Sequence, residues 1–453
     1  MQDAVVVAGK TRAEVRGRVL SLAWPVMAEH ALGTLTHMVD MIMIGRLGAV
    51  AVAGIGLSFQ PFFFVAALFM GISVGTTAIV ARCVGAGDRE GAGYVTAQSI
   101  LMAVGLGVVV AAAGFVFAEP VILLMGGEPE VVSTGAVYIR NLVPGIVFML
   151  ISAMLGGALR GAGDTRTPMK VNVGINLLNV FGNWVLIFGH LGFPALGVQG
   201  AAIATSLARS TGGLILLYLV LKGRAGLKFS LAALVRVHPP TWSRILRVGV
   251  PAAMERVVMS GAQVLYVRIV ASLGTVAFAA HAIALNAESV SYMPGMGFAV
   301  AATALVGQSL GAGDPEAARR SGWESGRLAM MGMGGVGLLL FTFPHVLMRL
   351  YTPDAEVIRL GVICLRIMGL AQAFQAAGFV FSGALRGAGD TLYVMYITVA
   401  GTWLVRLGLA YLLVVVFKMG LAGAWVAMAL DWVVRSSGLI YRFQQGQWQK
   451  IKV

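Results

Sequence analysis

The chain has 453 residues, 58% of them hydrophobic and only 11% charged, with a net charge of +14 and a mean hydropathy of +0.86. Soluble domains carry about 25% charged residues, so a water-soluble globule is excluded: there is too little polar surface to cover one. The two cysteines, Cys83 and Cys364, are far apart in sequence and set in apolar segments, and they suggest neither a disulfide nor a metal site.

Met1–Arg18 is polar and basic and lacks the apolar core of a cleaved signal peptide. It reads as a cytoplasmic N-terminal segment, 1–19. Apolar runs long enough to cross a bilayer as helices then recur to the end. They cover 20–44, 51–80, 93–117, 134–158, 168–189, 197–221, 245–272, 277–306, 325–347, 357–383, 393–416 and 421–441. The class is an all-α polytopic membrane protein with twelve transmembrane helices. The expected domains are an N-lobe at 20–221, a cytoplasmic linker at 222–244, a C-lobe at 245–441 and a cytoplasmic tail at 442–453. Glycine is abundant, at 60 residues, and small residues let membrane helices approach closely.

The tetrapeptide Gly-Ala-Gly-Asp occurs four times, at Gly85–Asp88, Gly161–Asp164, Gly311–Asp314 and Gly387–Asp390. Asp88 to Asp314 and Asp164 to Asp390 are both steps of 226 residues, half of the chain. Gly157–Thr165 and Gly383–Thr391 both read GALRGAGDT, and the same offset pairs Pro25 with Pro251, Glu29 with Glu255 and Gly71 with Gly297. The chain is one unit in direct tandem. Six spans per copy keep both copies in one orientation, which predicts two lobes related by a pseudo-two-fold axis along the membrane normal. Each Gly-Ala-Gly-Asp is expected as a turn, with glycine supplying the helix-exit dihedrals and aspartate capping the next helix. None has the lysine and spacing of a nucleotide-binding loop.

Lysine and arginine set sidedness. The connections on the side of the termini carry most of them, whereas the opposite connections carry only Arg46, Arg349 and Lys418. Both termini are then cytoplasmic, and the positive charge needs no nucleic-acid partner to explain it. The longest connection holds Lys222, Arg224, Lys228, Arg236 and Pro239-Pro240. It reads as an inter-lobe linker lying on an anionic leaflet.

Five acids fall inside the spans: Glu29, Asp40, Glu255, Glu288 and Asp431. A charge at the bilayer centre costs at least about 2.5–3.5 kcal/mol, so each is a functional candidate. Asp40 leads, because its repeat position is Tyr266 and the acid was not duplicated. Span five carries Asn172, Asn176, Asn179 and Asn183 in steps of four, three and four, one helical stripe. Such a stripe must face protein or water, and its amides either coordinate a cation or bond helices together. Thr205 in span six adds a hydroxyl. Glu29 and Glu255 each follow a proline by four residues, which suggests a shared structural task, satisfaction of backbone groups freed by the proline, or a place at a cavity entrance. Glu288 stands two turns from His281, with Asn286 in the same span, as a proton relay or a hydrogen-bonded pair. Asp431 and Arg435 read as an ion pair at i and i+4. The 23 methionines suit an adaptable cavity wall or lipid-facing packing. No metal-ligand cluster, catalytic triad or nucleotide motif is visible, so an enzyme is not expected.

Val39-Asp40 followed by Ile44-Gly45, the two LRGAGDT segments, Val306-Gly307-Gln308 leading into Leu310–Asp314, and Asn179 to Asn183 running into Ile187-Phe188-Gly189 resemble the multidrug and toxic compound extrusion (MATE) family over nearly the whole chain. The resemblance implies two six-helix lobes around a central cavity. It also implies efflux of amphiphilic, often cationic compounds in exchange for protons or sodium ions. It places Asp40 at the family's first-helix acid and Asn179 and Asn183 at its fifth-helix polar positions. The chain stands between the NorM-like and DinF-like branches: Asn183 replaces an acid frequent in the latter, and Gln375 stands where the former has a tenth-helix acid. The expected cation-coupling set is Asp40, Asn179, Asn183 and Thr205, with Asn176, Glu255, His281, Glu288 and Gln375 as substrate-cavity candidates. No cofactor is expected beyond a coupling H+ or Na+, and the expected partners are drug-like molecules and membrane lipids. A monomer in the bacterial inner membrane is the simplest assembly. An exporter or flippase of a metabolite or lipid-linked substrate is the alternative on the same fold.

Overall fold

The computed structural model describes residues 11–229 and 231–451. The first ten residues of the expected N-terminal segment, Ser230 of the expected linker and the last two residues of the expected tail lie outside the described residues. Among the described residues there is no strand, and twelve long helical segments follow one another. They are α1 (Arg12–Gly45), α2 (Ala49–Gly85), α3 (Arg89–Val116), α4 (Pro129–Gly161), α5 (Arg166–Phe188), α6 (Gly197–Leu221), α7 (Pro239–Ala271), α8a with α8b (Thr275–Ser289 and Tyr292–Gly311), α9 (Pro315–Thr342), α10 (Ala355–Ala388), α11 (Thr391–Val416) and α12 (Gly420–Gln445). Nine helices among the described residues are long and apolar enough to cross a membrane. The long helices outside that set are α1, α7 and α12, which carry Glu29, Asp40, Glu255 and Asp431. Large apolar side chains such as Val109, Leu124, Leu338, Leu370 and Leu404 stand exposed, the surface a hydrocarbon solvent requires.

Contacts divide the chain into two compact units, Ala28–Arg247 and a second made of Met1–Met27 with Val248–Val453. In the first, α4 packs along α2, α3 and α6, and α5 pairs with α6. In the second, α10 packs in the same way against α8b, α9 and α12. These two hub helices are the ones that end in GALRGAGDT. The reason is steric. A Cβ at Gly161 would run into the backbone carbonyl of Thr77 on α2, and one at Gly387 into that of Thr303 on α8b. Gly157 and Gly383 are equally tight, against Ser73 and Ala299. Glycines four residues apart thus let the hub lie directly on its neighbour's backbone, a packing role the turn reading of the motif did not include.

The turn itself is formed in all four copies. The third residue of each, Gly87, Gly163, Gly313 and Gly389, has φ between +74° and +91°, and each aspartate N–H reaches back five residues, as from Asp390 to the Leu385 carbonyl at 2.8 Å. Asp88, Asp164 and Asp314 accept from the backbone N–H three residues on. Asp390 departs from the expected cap and instead accepts from Arg442 Nε at 2.8 Å.

The motif arginines explain the duplicated acids. Arg386 Nη2 donates to both carboxylate oxygens of Glu255 at 2.8 Å, and Arg160 Nη1 stands 3.7 Å from Glu29 Oε2. Arg160 and Arg386 are themselves repeat partners. The carboxylates answer these guanidinium groups, not the backbone freed by Pro25 and Pro251.

The helices and their connections add three features to the expected map. α1 begins at Arg12, not near residue 20, because Arg12 and Arg16 on its first turns both bind Glu324 of α9. The eighth span is broken at Val290-Ser291, because Pro294 has no N–H to give and its ring clashes with the carbonyl four residues back. The linker is tied to the first unit by side chains. Gln98 of α3 donates to the carbonyls of Ala233 and Arg236 and accepts from His238 N–H and Trp242 Nε1, all at 2.8–3.0 Å. Lys228 packs its backbone where a side chain on Gly93 would be, and α7 is helical from Pro239.

Replacing Gly387 by Ala is expected to destabilise the purified protein by about 1–3 kcal/mol, while Gly334→Ala, with nothing near its Cβ, leaves thermal unfolding unchanged or raises its midpoint. Glu255 is 4% exposed and takes both of its bonds from one nitrogen of Arg386, so Glu255→Gln is expected to cost up to about 3 kcal/mol. Glu29→Gln, in a pair whose side chains keep 21–22% of their surface exposed, is expected to cost under about 1 kcal/mol. Denaturation in detergent reads the difference.

Candidate functional site

The asparagine stripe of α5 faces the second half of α1. Asn172 Nδ2 donates to Glu29 Oε1 at 2.7 Å, and three turns further Asn183 Nδ2 donates to Asp40 Oδ1 at 2.8 Å. Eleven residues separate the two contacts on either helix, so α1 and α5 run side by side in register. Asn179 lies between. With its amide turned to satisfy both neighbours, Nδ2 stands 3.1 Å from each oxygen of Asp40 and Oδ1 accepts from Thr205 Oγ1 at 3.1 Å. Thr205 also approaches the Ala201 carbonyl, at 2.9 Å, which anchors it to its own helix α6.

These groups line a cavity of about 190 Å³ inside the first unit, together with Asn176, Thr36, His37, Phe59, Tyr138 and Arg209. The structure therefore gathers Asp40, Asn176, Asn179, Asn183 and Thr205 in one place. A second cavity of about 500 Å³ shares Gly33, His37, Phe59, Asn176 and Arg209 with it and adds Glu29, His30, Phe62 and Asn172.

The electrostatics at Asp40 are unusual for a membrane interior. Its hydrogen-bond donors are neutral amides, and among the described residues no lysine or arginine nitrogen lies within 4.0 Å of it. Neutral donors lessen the cost of a buried carboxylate but do not cancel its charge. Beside it, Asn183 Oδ1 is buried and accepts no hydrogen bond. The site thus offers a carboxylate and an uncommitted amide oxygen, the donor set that a proton or a hard cation uses. Among the described residues no group of three or more His, Cys, Asp or Glu side chains is placed to hold a metal ion.

The second-unit candidates are arranged differently. Glu255 is closed into its pair with Arg386 and is 4% exposed. His281 Nδ1 accepts from Trp425 Nε1 at 3.1 Å. Glu288 accepts from Gln375 Nε2 at 3.2 Å, Gln372 Nε2 at 3.4 Å and Tyr292 hydroxyl at 3.2 Å. His281 and Glu288, expected as a proton relay or a hydrogen-bonded pair, instead have separate hydrogen-bond partners from α12, α10 and α8b. Only Glu288 and Gln375 among these candidates touch one another. Asp431 does pair with Arg435, at 2.7 Å, but Arg406 joins from α11 at 2.8 Å, making a buried triad. α11 widens to π-helical turns over Gly401–Leu407 around that arginine.

Sequence reasoning missed His37, Tyr138 and Arg209. The signal for Arg209 was present, since it stands one turn from Thr205 inside an apolar span. His37 carries a similar signal, one turn before Asp40. Tyr138 had none, because an aromatic residue in a long apolar helix is ordinary.

The MatE family model matches residues 25–185 and 251–412, one stretch in each repeat. The "probable multidrug resistance protein NorM" of Thermotoga maritima is 37% identical over 96% of this chain and 94% of its own length. The "uncharacterized transporter YisQ" of Bacillus subtilis is 27% identical over 95% and 94%. Among solved structures, a MOP superfamily transporter from Pyrococcus furiosus superposes with a TM-score of 0.89 at 25% identity, over 100% of this chain and 99% of that one. An outward-facing multidrug resistance MATE family transporter superposes with the same score and identity over 99% of each chain. Two matched stretches in repeat register and relatives aligned end to end place this chain in the MatE family, the multidrug and toxic compound extrusion transporters.

Proposed function

We propose that the chain exports amphiphilic, often cationic compounds across the bacterial cytoplasmic membrane in exchange for entering protons or sodium ions, with both termini in the cytoplasm and a monomer as the working unit. The observation that carries this reading is Asp40, held by neutral amides in a first-unit cavity beside the uncommitted oxygen of Asn183. The relatives' printed names support the multidrug part of it.

The coupling follows from the charge. With Asp40 ionised, its carboxylate is a negative point in a cavity that also holds Arg209, and it attracts the cationic group of a substrate. A proton on Asp40, or a sodium ion shared between Asp40, Asn179, Asn183 and Thr205, removes that attraction. Substrate and coupling ion then compete for one carboxylate, and each favours the access state that holds it better. Exchange requires only that the two ligands differ in this preference. The lobes alternate access as the occupant of Asp40 changes.

Purified protein in liposomes, loaded with a fluorescent cation and given a proton or a sodium gradient separately, tests this. Wild type is expected to move the dye with one gradient and thereby to name the ion. Asp40→Asn keeps the hydrogen-bond geometry and removes the titratable charge, so its gradient-driven flux is expected to fall to that of protein-free vesicles. Undiminished flux in that variant would remove Asp40 from the coupling step.

A further inference from the structure

The two repeats place an arginine at the same point of their sixth helix, Arg209 in α6 and Arg435 in α12. The surrounding residues match at the same offset: Gly197 with Gly423, Ala201 with Ala427, Ser210 with Ser436 and Gly212 with Gly438. In the second unit the arginine has a carboxylate partner, which it shares with Arg406. Asp431, four residues earlier, binds Arg435 at 2.7 Å. In the first unit the residue four earlier is Thr205, a hydroxyl already engaged with Asn179 and the Ala201 carbonyl. The duplicated arginine has kept its place while the carboxylate one turn before it is absent, and Asp40 across the cavity, beyond 4.0 Å, is the opposite charge that remains.

The structure shows the result. Arg209 Nη1 is buried and makes no hydrogen bond, and among the described residues no carboxylate oxygen lies within 4.0 Å of this guanidinium. The group lies over the Phe62 ring, 4.4 Å from its centroid. A ring face lessens the cost of burying a cation but does not occupy its fork of donors. Arg209 also lines both first-unit cavities. Glu29 lines the larger one, where Asn172 bonds its Oε1 and Arg160 stands 3.7 Å from its Oε2, and that carboxylate too lies beyond 4.0 Å of Arg209. A half-buried arginine whose Nη1 is left open suits a planar carboxylate, which a guanidinium can meet with two parallel hydrogen bonds.

We propose that Arg209 is an anion site within the substrate cavity and that it binds a carboxylate carried by the exported molecule. The substrate class then includes zwitterionic amphiphiles, with an ammonium group answering Asp40 and a carboxylate answering Arg209. This rests on the reading of the first-unit cavity as the substrate path.

The test is binding of a matched pair of fluorescent probes to purified full-length protein: dansyl-lysine, which has a free amine and a free carboxylate, and its methyl ester, which is only a cation. Wild type is expected to bind the acid at least about tenfold tighter than the ester, the scale of one charge-assisted hydrogen bond. In Arg209→Gln that ratio is expected to fall to about one, with Arg209→Lys between the two. Thr205→Asp, which restores the carboxylate found in the second repeat, is expected to lower the ratio as well, by giving Arg209 an internal partner. Gel filtration of each variant checks that it is folded. An unchanged ratio in Arg209→Gln, or an equal loss of both probes, overturns the proposal and makes Arg209 a packing group. A wild type that binds the ester as well as the acid overturns it too, while leaving the drug-binding reading in place. A wild type that binds neither probe defeats the reading of the cavity and this proposal together.

Discussion

An ionised group inside a bundle wrapped by hydrocarbon has no bulk water to turn to, so its partners must come from the protein around it. This constraint divides Glu255, Asp431, Asp40, Glu288 and Arg209 into two groups. Glu255 with Arg386, and Asp431 with Arg406 and Arg435, are answered by opposite charges at 2.7–2.8 Å. Removing one member would strand the other, which is sufficient reason for their presence without any role in transport. Asp40 and Glu288 take their hydrogen bonds from amides and hydroxyls, and Arg209 lies over an aromatic face, with opposite charges only beyond 4.0 Å. These three remain electrostatically incomplete, and two of them share a cavity.

The repeats show which features duplication preserved. The four glycines on the hub helices, the turns that follow them and the glutamate–arginine pairs occur in both units at one offset. All of them hold helices together. The cavity chemistry occurs once. Asp40 corresponds to Tyr266, Asn179 to Val405, Asn183 to Leu409 and Thr205 to Asp431. In the second unit Tyr266 is buried and donates its hydroxyl to the Ala424 carbonyl, next to His281 and Trp425. Packing and an internal ion triad fill that region. The geometry that a fold needs was thus kept in duplicate, while the geometry that a ligand needs was kept in one copy.

Much of this was legible before the structure. Twelve apolar runs, the tandem offset and the asparagine stripe all follow from periodicities that survive in a single sequence. The stripe also announced that one face of α5 must meet polar groups, which Glu29 and Asp40 supply. Partners across helices were not legible. Arg386 lies 131 residues from Glu255, and no spacing rule connects them. The early start of α1 depends on Glu324, more than three hundred residues away, for the same reason. The break in the eighth span was readable in principle, because Pro294 marks it, but the apolar run continues straight through. Arg209 was overlooked because a lone arginine in a span reads as a residue awaiting an ion pair, and only the comparison with Arg435 shows that the pair is missing.

Gln98 spends its whole side chain on the connection between the repeats, with both amide hydrogens and the carbonyl oxygen committed to residues 233–242. Arg89 and Asp164 hold the same connection at Ala225 and Arg224. The stretch that looks like a seam between two gene copies is therefore sewn into the first of them. Exposed, unbonded backbone is where chains tolerate cutting and insertion, and here exposed residues such as Val235 and Val237 alternate with the bonded ones. Anyone wishing to express the halves as separate polypeptides, or to place a tag between them, would have to leave the first half its borrowed hem through Trp242.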